Sequence, residues 1–93
     1  MNVFPDQEVD EIIEEKIKDA DTHDLVVYND DVNTFDHVIN TLIDVCDHAP
    51  EQAEQCTYII HYKGKCVVKN GEFPRLATMC KTINDRGISA EVK

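Results

Sequence analysis

Between Leu25 and Tyr62 the chain has no lysine or arginine at all. Seven Asp and Glu residues stand there unopposed, and residues 1–24 add nine acids against two lysines. Two thirds of the chain therefore repels phosphate, which argues against nucleic-acid binding. Positive charge is confined to residues 63–93, with seven bases against three acids. Scattered lysines on a solvated face are the plainest reading of that stretch. Long hydrophobic runs are missing too. The longest, Leu25–Tyr28, has four residues, against the ~20 needed to span a bilayer. Nothing resembles a signal peptide, so a cytoplasmic location is expected, with no membrane partner.

No C-x-x-C pair occurs. Cys46, Cys56, Cys66 and Cys80 lie 10, 10 and 14 residues apart, and His23, His37, His48 and His61 do not complete a zinc pattern. Buried free thiols acting as small apolar fillers are expected, with no metal and no cofactor. Repeats and low-complexity segments are absent. So are Gly-x-Ser-x-Gly, a Gly-rich phosphate loop, His-Glu-x-x-His and calcium-loop spacing. An enzyme is disfavoured on these grounds.

What is present organises around residues 25–38. Leu25–Tyr28 reads as a short buried strand. Asn29, Asp30, Asp31 and Asn33 then fall together, residues that favour turns and helix starts. Asn33 with Asp36 three positions later resembles a capping box, which predicts a helix from Thr34 to about Asp47. Val38, Leu42 and Val45 share one stripe of it, with Ile39, Ile43 and Cys46 alongside. A second helix starts at Pro50 and runs to about Tyr62, with Gly64 ending it. Lys65–Lys69 predicts a strand and Asn70-Gly71 a turn. Phe73–Arg86 predicts a third helix facing Leu76, Met79, Cys80 and Ile83 inward, with Gly87 in the cap position. Ile88–Val92 alternates and predicts a closing strand. The fold class is thus α+β, a two-layer β-α-α-β-α-β domain with three helices on a three-stranded antiparallel sheet. It spans residues 25–93. Residues 1–24 read as a flexible acidic arm with helical tendency (Val9, Ile12, Ile13 and Ile17 at helical spacing), either a solvated leader or an arm that something grips.

Two constellations bear on chemistry. Asn29, Asp30 and Asp31 form either a plain turn or a set of ligand acceptors. His61 is either an ordinary half-buried helix histidine or a partner to them. An Asp–His pair without a nucleophile in reach is weak support for catalysis, so no catalytic residue is assigned. Acceptors beside an apolar wall suit a ligand with a cationic head and an apolar side.

Asn29-Asp30-Asp31-x-Asn33 with Val38, followed some thirty residues later by His61-Tyr62-x-Gly64-Lys65, resembles the ClpS adaptors of the N-degron pathway. The similarity runs from about Leu25 to Val92 and includes the element order. It implies an adaptor that recognises the free N-terminal residue of a doomed protein, of the Leu, Phe, Tyr or Trp class, and delivers it to a Clp-type AAA+ unfoldase through that enzyme's N-domain. By the resemblance, Asn29, Asp31 and His61, with Asp30 adjacent, hold the α-amino group. Val27, Val32, Asn33, Phe35, Val38, Thr57, Ile60 and Ile88 (or Ala90) wall the side-chain pocket. Phe35 and Thr57 stand where methionine is common in the family, which implies a bulky wall on one side and room on the other. The acidic arm becomes the leader that the unfoldase engages. Physical chemistry agrees with this set: an α-ammonium has three N–H donors and needs about three acceptors once desolvated. Two other readings stand beside this one, an interaction domain of the same fold without degron binding and an Asp/His-dependent hydrolase.

Overall fold

The computed structural model describes residues 22–93. Strand β1 (Thr22–Tyr28) is followed by helices α1 (Phe35–Cys46) and α2 (Pro50–Lys63). Strand β2 (Lys65–Glu72), helix α3 (Phe73–Asp85) and strand β3 (Ala90–Val92) complete the chain. The sheet order is β2-β1-β3 with both pairings antiparallel. This is the α+β arrangement of three helices on a three-stranded sheet that the hydrophobic pattern predicts.

Period-two alternation sends Leu25 and Val27 of β1 toward the helices and Val26 to the other face. The core that results joins Leu25 and Val27 to Val38, Leu42 and Cys46 of α1, Ala53 and Ile60 of α2, and Leu76 and Ile83 of α3. Val68 and Ile88 close it. An irregularity between Leu25 and Val26 shifts the β1–β2 register, so that Leu25 faces Lys69 while Val26 faces Val67. Of the four free thiols, only Cys46 is fully buried; Cys56, Cys66 and Cys80 are half-buried. Burial pushes the Cys46 thiol up to about 11.

Element ends differ from expectation in five places. β1 begins at Thr22 rather than Leu25, because Thr22, His23 and Asp24 pair by backbone with Glu72, Gly71 and Asn70. That same pairing makes Asn70-Gly71 part of β2 rather than a turn. The rest of the acidic arm, residues 1–21, lies outside the described residues. Helix α1 is capped by Thr34, whose Oγ1 accepts the His37 N–H at 3.1 Å, not by Asn33. α3 stops at Asp85, with Arg86 as its cap. β3 starts two residues after Ile88, whose N–H instead closes the helix end on the Ile83 carbonyl at 3.3 Å.

Candidate functional site

The turn after β1 is set by one carboxylate. Asp30 Oδ1 accepts the backbone N–H groups of Val32 and Asn33, each at 2.8 Å, and Oδ2 accepts the Asn33 amide nitrogen at 2.7 Å. These bonds, the Asn33 backbone donor foremost, hold the Asp30 carboxyl below its ordinary value against the opposing effect of burial. Asn33 also donates from Nδ2 to the Gly87 carbonyl at 2.9 Å, fastening the turn to the loop after α3. His37 Nε2 reaches the Arg86 carbonyl at 2.9 Å from the next turn of chain. So Asn33 is a brace rather than a cap.

The other side of the turn is tied to α2. Gly64 ends that helix in the left-handed region (φ 92°), a conformation that costs little only without a Cβ. Its N–H returns to the Ile60 carbonyl at 2.9 Å, and its own carbonyl accepts the Asn29 N–H at 2.9 Å. One glycine thereby stops the helix carrying His61 and holds it beside the turn carrying Asn29. His61 meets the edge or face of two further rings, with Phe35 at 5.2 Å and Tyr62 at 5.0 Å between centroids. Phe35 in turn meets Tyr58 edge-on at 5.2 Å.

Between the turn, the start of α1 and the end of α2 lies a cavity of about 310 Å³. Asn29, Asp30, Asp31, Asn33, Thr34, Phe35, Val38, Thr57, Ile60 and His61 line it. Nine of these are among the site residues that the sequence suggests; Thr34 is the addition, legible only once it is known to cap the helix and face the turn. Three suggested residues lie elsewhere. Val27 is 1% exposed and Ile88 2%, both within the central core. Val32 is 86% exposed, on the outside of the turn. The wide alternative for the last strand, Ala90, packs against the core and not the cavity.

The acceptors divide by what already occupies them. Both Asp30 oxygens are committed to the turn. Asp31 is exposed and has no hydrogen bond or ion pair among the described residues. The two cavity hydroxyls are engaged with backbone: Thr57 Oγ1 donates to the Ala53 carbonyl at 2.8 Å, and Thr34 Oγ1 accepts from His37. Each is thereby drawn to its own helix rather than to His61. Carbonyl, carboxylate and imidazole acceptors thus share one cavity with the apolar groups of Val38, Ile60 and Phe35, a lining whose chemistry suits an amphipathic cation.

Fold and cavity together define a small α+β domain with one recess lined by both polar and apolar groups. The sequence model of the family described as "ATP-dependent Clp protease adaptor protein ClpS" matches residues 18–91, and the chain belongs to that family. The family is one of adaptors for a protease rather than of enzymes. Among solved structures, Agrobacterium tumefaciens ClpS2 bound to L-phenylalaninamide is similar, with a TM-score of 0.73 and 19% identity. The match covers 81% of this chain and 100% of that one, and at such identity it speaks for the fold. No curated protein matches the chain. Among the described residues no helix is long and apolar enough to cross a membrane.

Proposed function

We propose that this chain is an N-degron adaptor: it binds the free N-terminal residue of a protein substrate and presents that protein to a Clp AAA+ unfoldase. The observation that carries the reading is the juxtaposition, in one cavity, of unengaged acceptors with an apolar recess. The substrate's α-ammonium donates to the Asn29 side-chain oxygen, the Asp31 carboxylate and a neutral His61 ring nitrogen. The bond to Asp31 is charge-assisted and is the strongest of the three. The first side chain enters between Phe35, Val38, Thr57 and Ile60, where burying a Leu or Phe contributes roughly 1.5–3 kcal/mol. A side chain branched at Cβ meets the rim before it fills the recess, so Ile and Val bind poorly. Asp30 serves by holding the turn, and Asn33 by bracing it. The similar structure supports the reading because its ligand, a phenylalanine amide, offers an amine and an aromatic side chain together.

Selectivity for an uncapped chain start follows from desolvation. Acylating the amine removes the charge and leaves the Asp31 carboxylate facing a neutral amide, an uncompensated group. The unfoldase contact, the cytoplasmic setting and a role for residues 1–24 as the segment the unfoldase grips belong to the same proposal. The test is a fluorescence-anisotropy titration with a peptide beginning with Phe and its N-acetylated twin. The first should bind and the second should not. Equal binding of both, or of neither, would overturn the reading.

A further inference from the structure

The four thiols are not equivalent. Cys46 is fully buried in the core, and Cys80 has an amide for a neighbour, Asn84 Nδ2 at 3.6 Å. The other two meet each other. Cys56 stands midway along α2 and Cys66 second in β2, with Gly64 turning the chain between them. The Cys66 thiol is in hydrogen-bond contact with the Cys56 sulfur and lies 3.4 Å from the Val67 carbonyl. Both thiols are half-buried and pack against the core rather than within it. Cys66 also lines a second cavity, of about 410 Å³, with Val26, Lys65 and Val67. Ile59, one helical turn after Cys56, lines it too, and both Ile59 and Val67 are exposed. A small oxidant entering there reaches the pair, whereas a thiol that only fills a core is sealed off and inert.

We infer that Cys56 and Cys66 form a reversible disulfide site, closed by a peroxide and reopened by a dithiol. Burial pushes the Cys66 thiol up to about 11, and the adjoining Cys56 sulfur pushes it the same way. Cys66 therefore keeps its proton and Cys56 reacts first. The Cys56 thiolate attacks one peroxide oxygen, the O–O bond breaks and hydroxide leaves, giving a sulfenic acid. The Cys66 sulfur then displaces the second oxygen as hydroxide, and the S–S bond forms. The two thiol protons end in two waters, and the two electrons lost by sulfur are gained by oxygen. A dithiol returns them by exchange. Cys46 also lies near Cys56, but it is fully buried, and drawing it out would open a void in the core. Cys56 immediately precedes Thr57, so the bridge fastens the α2 wall of the first cavity to β2.

The test treats the reduced full chain with a small excess of hydrogen peroxide, once native and once unfolded in guanidinium chloride. Each product is titrated for thiols after unfolding, weighed intact and mapped as unreduced peptides. The native chain should fall from four thiols toward two and lose about 2 Da, with one linked pair of peptides, Cys56 to Cys66, and dithiothreitol should reverse all three changes. The unfolded chain should instead scatter its links among the four cysteines. Cys80→Ser should form the native bridge as the wild type does, and Cys66→Ser should form none. The wild-type peptide map is decisive even where a variant folds poorly. Four thiols surviving in the native chain, or oxygen added to single cysteines without a bridge, would overturn the inference. So would a native bridge that includes Cys46 or Cys80, a bridge between two chains, or native links as scattered as those of the unfolded chain.

Discussion

Two adjacent aspartates in the turn have opposite assignments, and Asp31→Ala separates them. Asp31 is exposed and makes no hydrogen bond or ion pair among the described residues, so its removal takes nothing from the fold beyond the ±0.5 kcal/mol usual for a surface change. What it removes, in the proposed reading, is the charge-assisted bond to the substrate amine. A hydrogen bond to a charged group contributes about 1.5–3 kcal/mol, which at about 1.4 kcal/mol per decade corresponds to a loss of roughly 10- to 150-fold in affinity. Asp30→Ala is the control with the reverse signature. It deletes three bonds of 2.7–2.8 Å that shape the turn, and should cost about 1–3 kcal/mol of stability as well as binding. The assay pairs an anisotropy titration against a Phe-initiated peptide with urea denaturation of each variant. An Asp31→Ala protein within threefold of wild-type affinity would refute the assignment. So would one destabilised as much as Asp30→Ala, since the carboxylate would then be a structural group.

Gly64→Ala introduces a Cβ that meets nothing within 4 Å, but at φ 92°; the backbone strain alone should cost about 1–2 kcal/mol of stability, read from urea denaturation, and the shifted carbonyl should also weaken peptide binding through Asn29. Thr57→Met fills the recess from the α2 side, so the ratio of Phe to Leu peptide affinity should drop by about tenfold, read by competition titration. For pH, the native state keeps the buried Cys46 thiol protonated up to about 11, whereas the unfolded thiol ionises near 9.0. The unfolded state therefore sheds its proton first, and stability should fall between those two pH values by about 2–3 kcal/mol. Urea titrations of wild type and Cys46→Ala over that range check it, the variant lacking this part of the alkaline slope.

Much of the molecule is legible in the chain because burial imposes a period. Leu25–Tyr28, the Val38–Leu42–Val45 stripe with Cys46 beside it, and the Leu76–Ile83 face each announce an element that the structure contains. What was not legible is set by backbone pairing and by which partner a polar side chain finds. His23 and Asp24 have no strand-like side chains and Thr22 stands alone before them, and the three join β1 because Asn70–Glu72 lie alongside. Asn33 is the better cap on residue type, yet Thr34 caps the helix because Asn33 is drawn away by Asp30 and by the Gly87 carbonyl fifty-four residues distant. In the same way Val27 and Ile88 are pocket walls by the family resemblance, yet strand alternation turns Val27 into the shared core, and Ile88, in the loop before β3, packs there beside it. Local chemistry predicts a residue's kind of partner; the fold decides which partner.

That distinction also explains why the turn needs two carboxylates in succession. A single aspartate serves both tasks poorly, since folding the turn takes three of the roughly four acceptor sites of a carboxylate, as at Asp30. Satisfying the turn with Asp30 leaves Asp31 open to solvent, on backbone held by its neighbour's bonds rather than by its own. The arrangement reduces the ordering that binding must otherwise impose on the acceptor, which is where preorganised sites gain affinity. It carries a cost that is also visible: two adjacent negative charges repel, and the site tolerates this because the backbone and amide donors of Val32 and Asn33 face the first of them. In the proposed reading a substrate ammonium is attracted by the charge of the second, and Asn29 and His61, which line the same cavity, accept its remaining N–H donors.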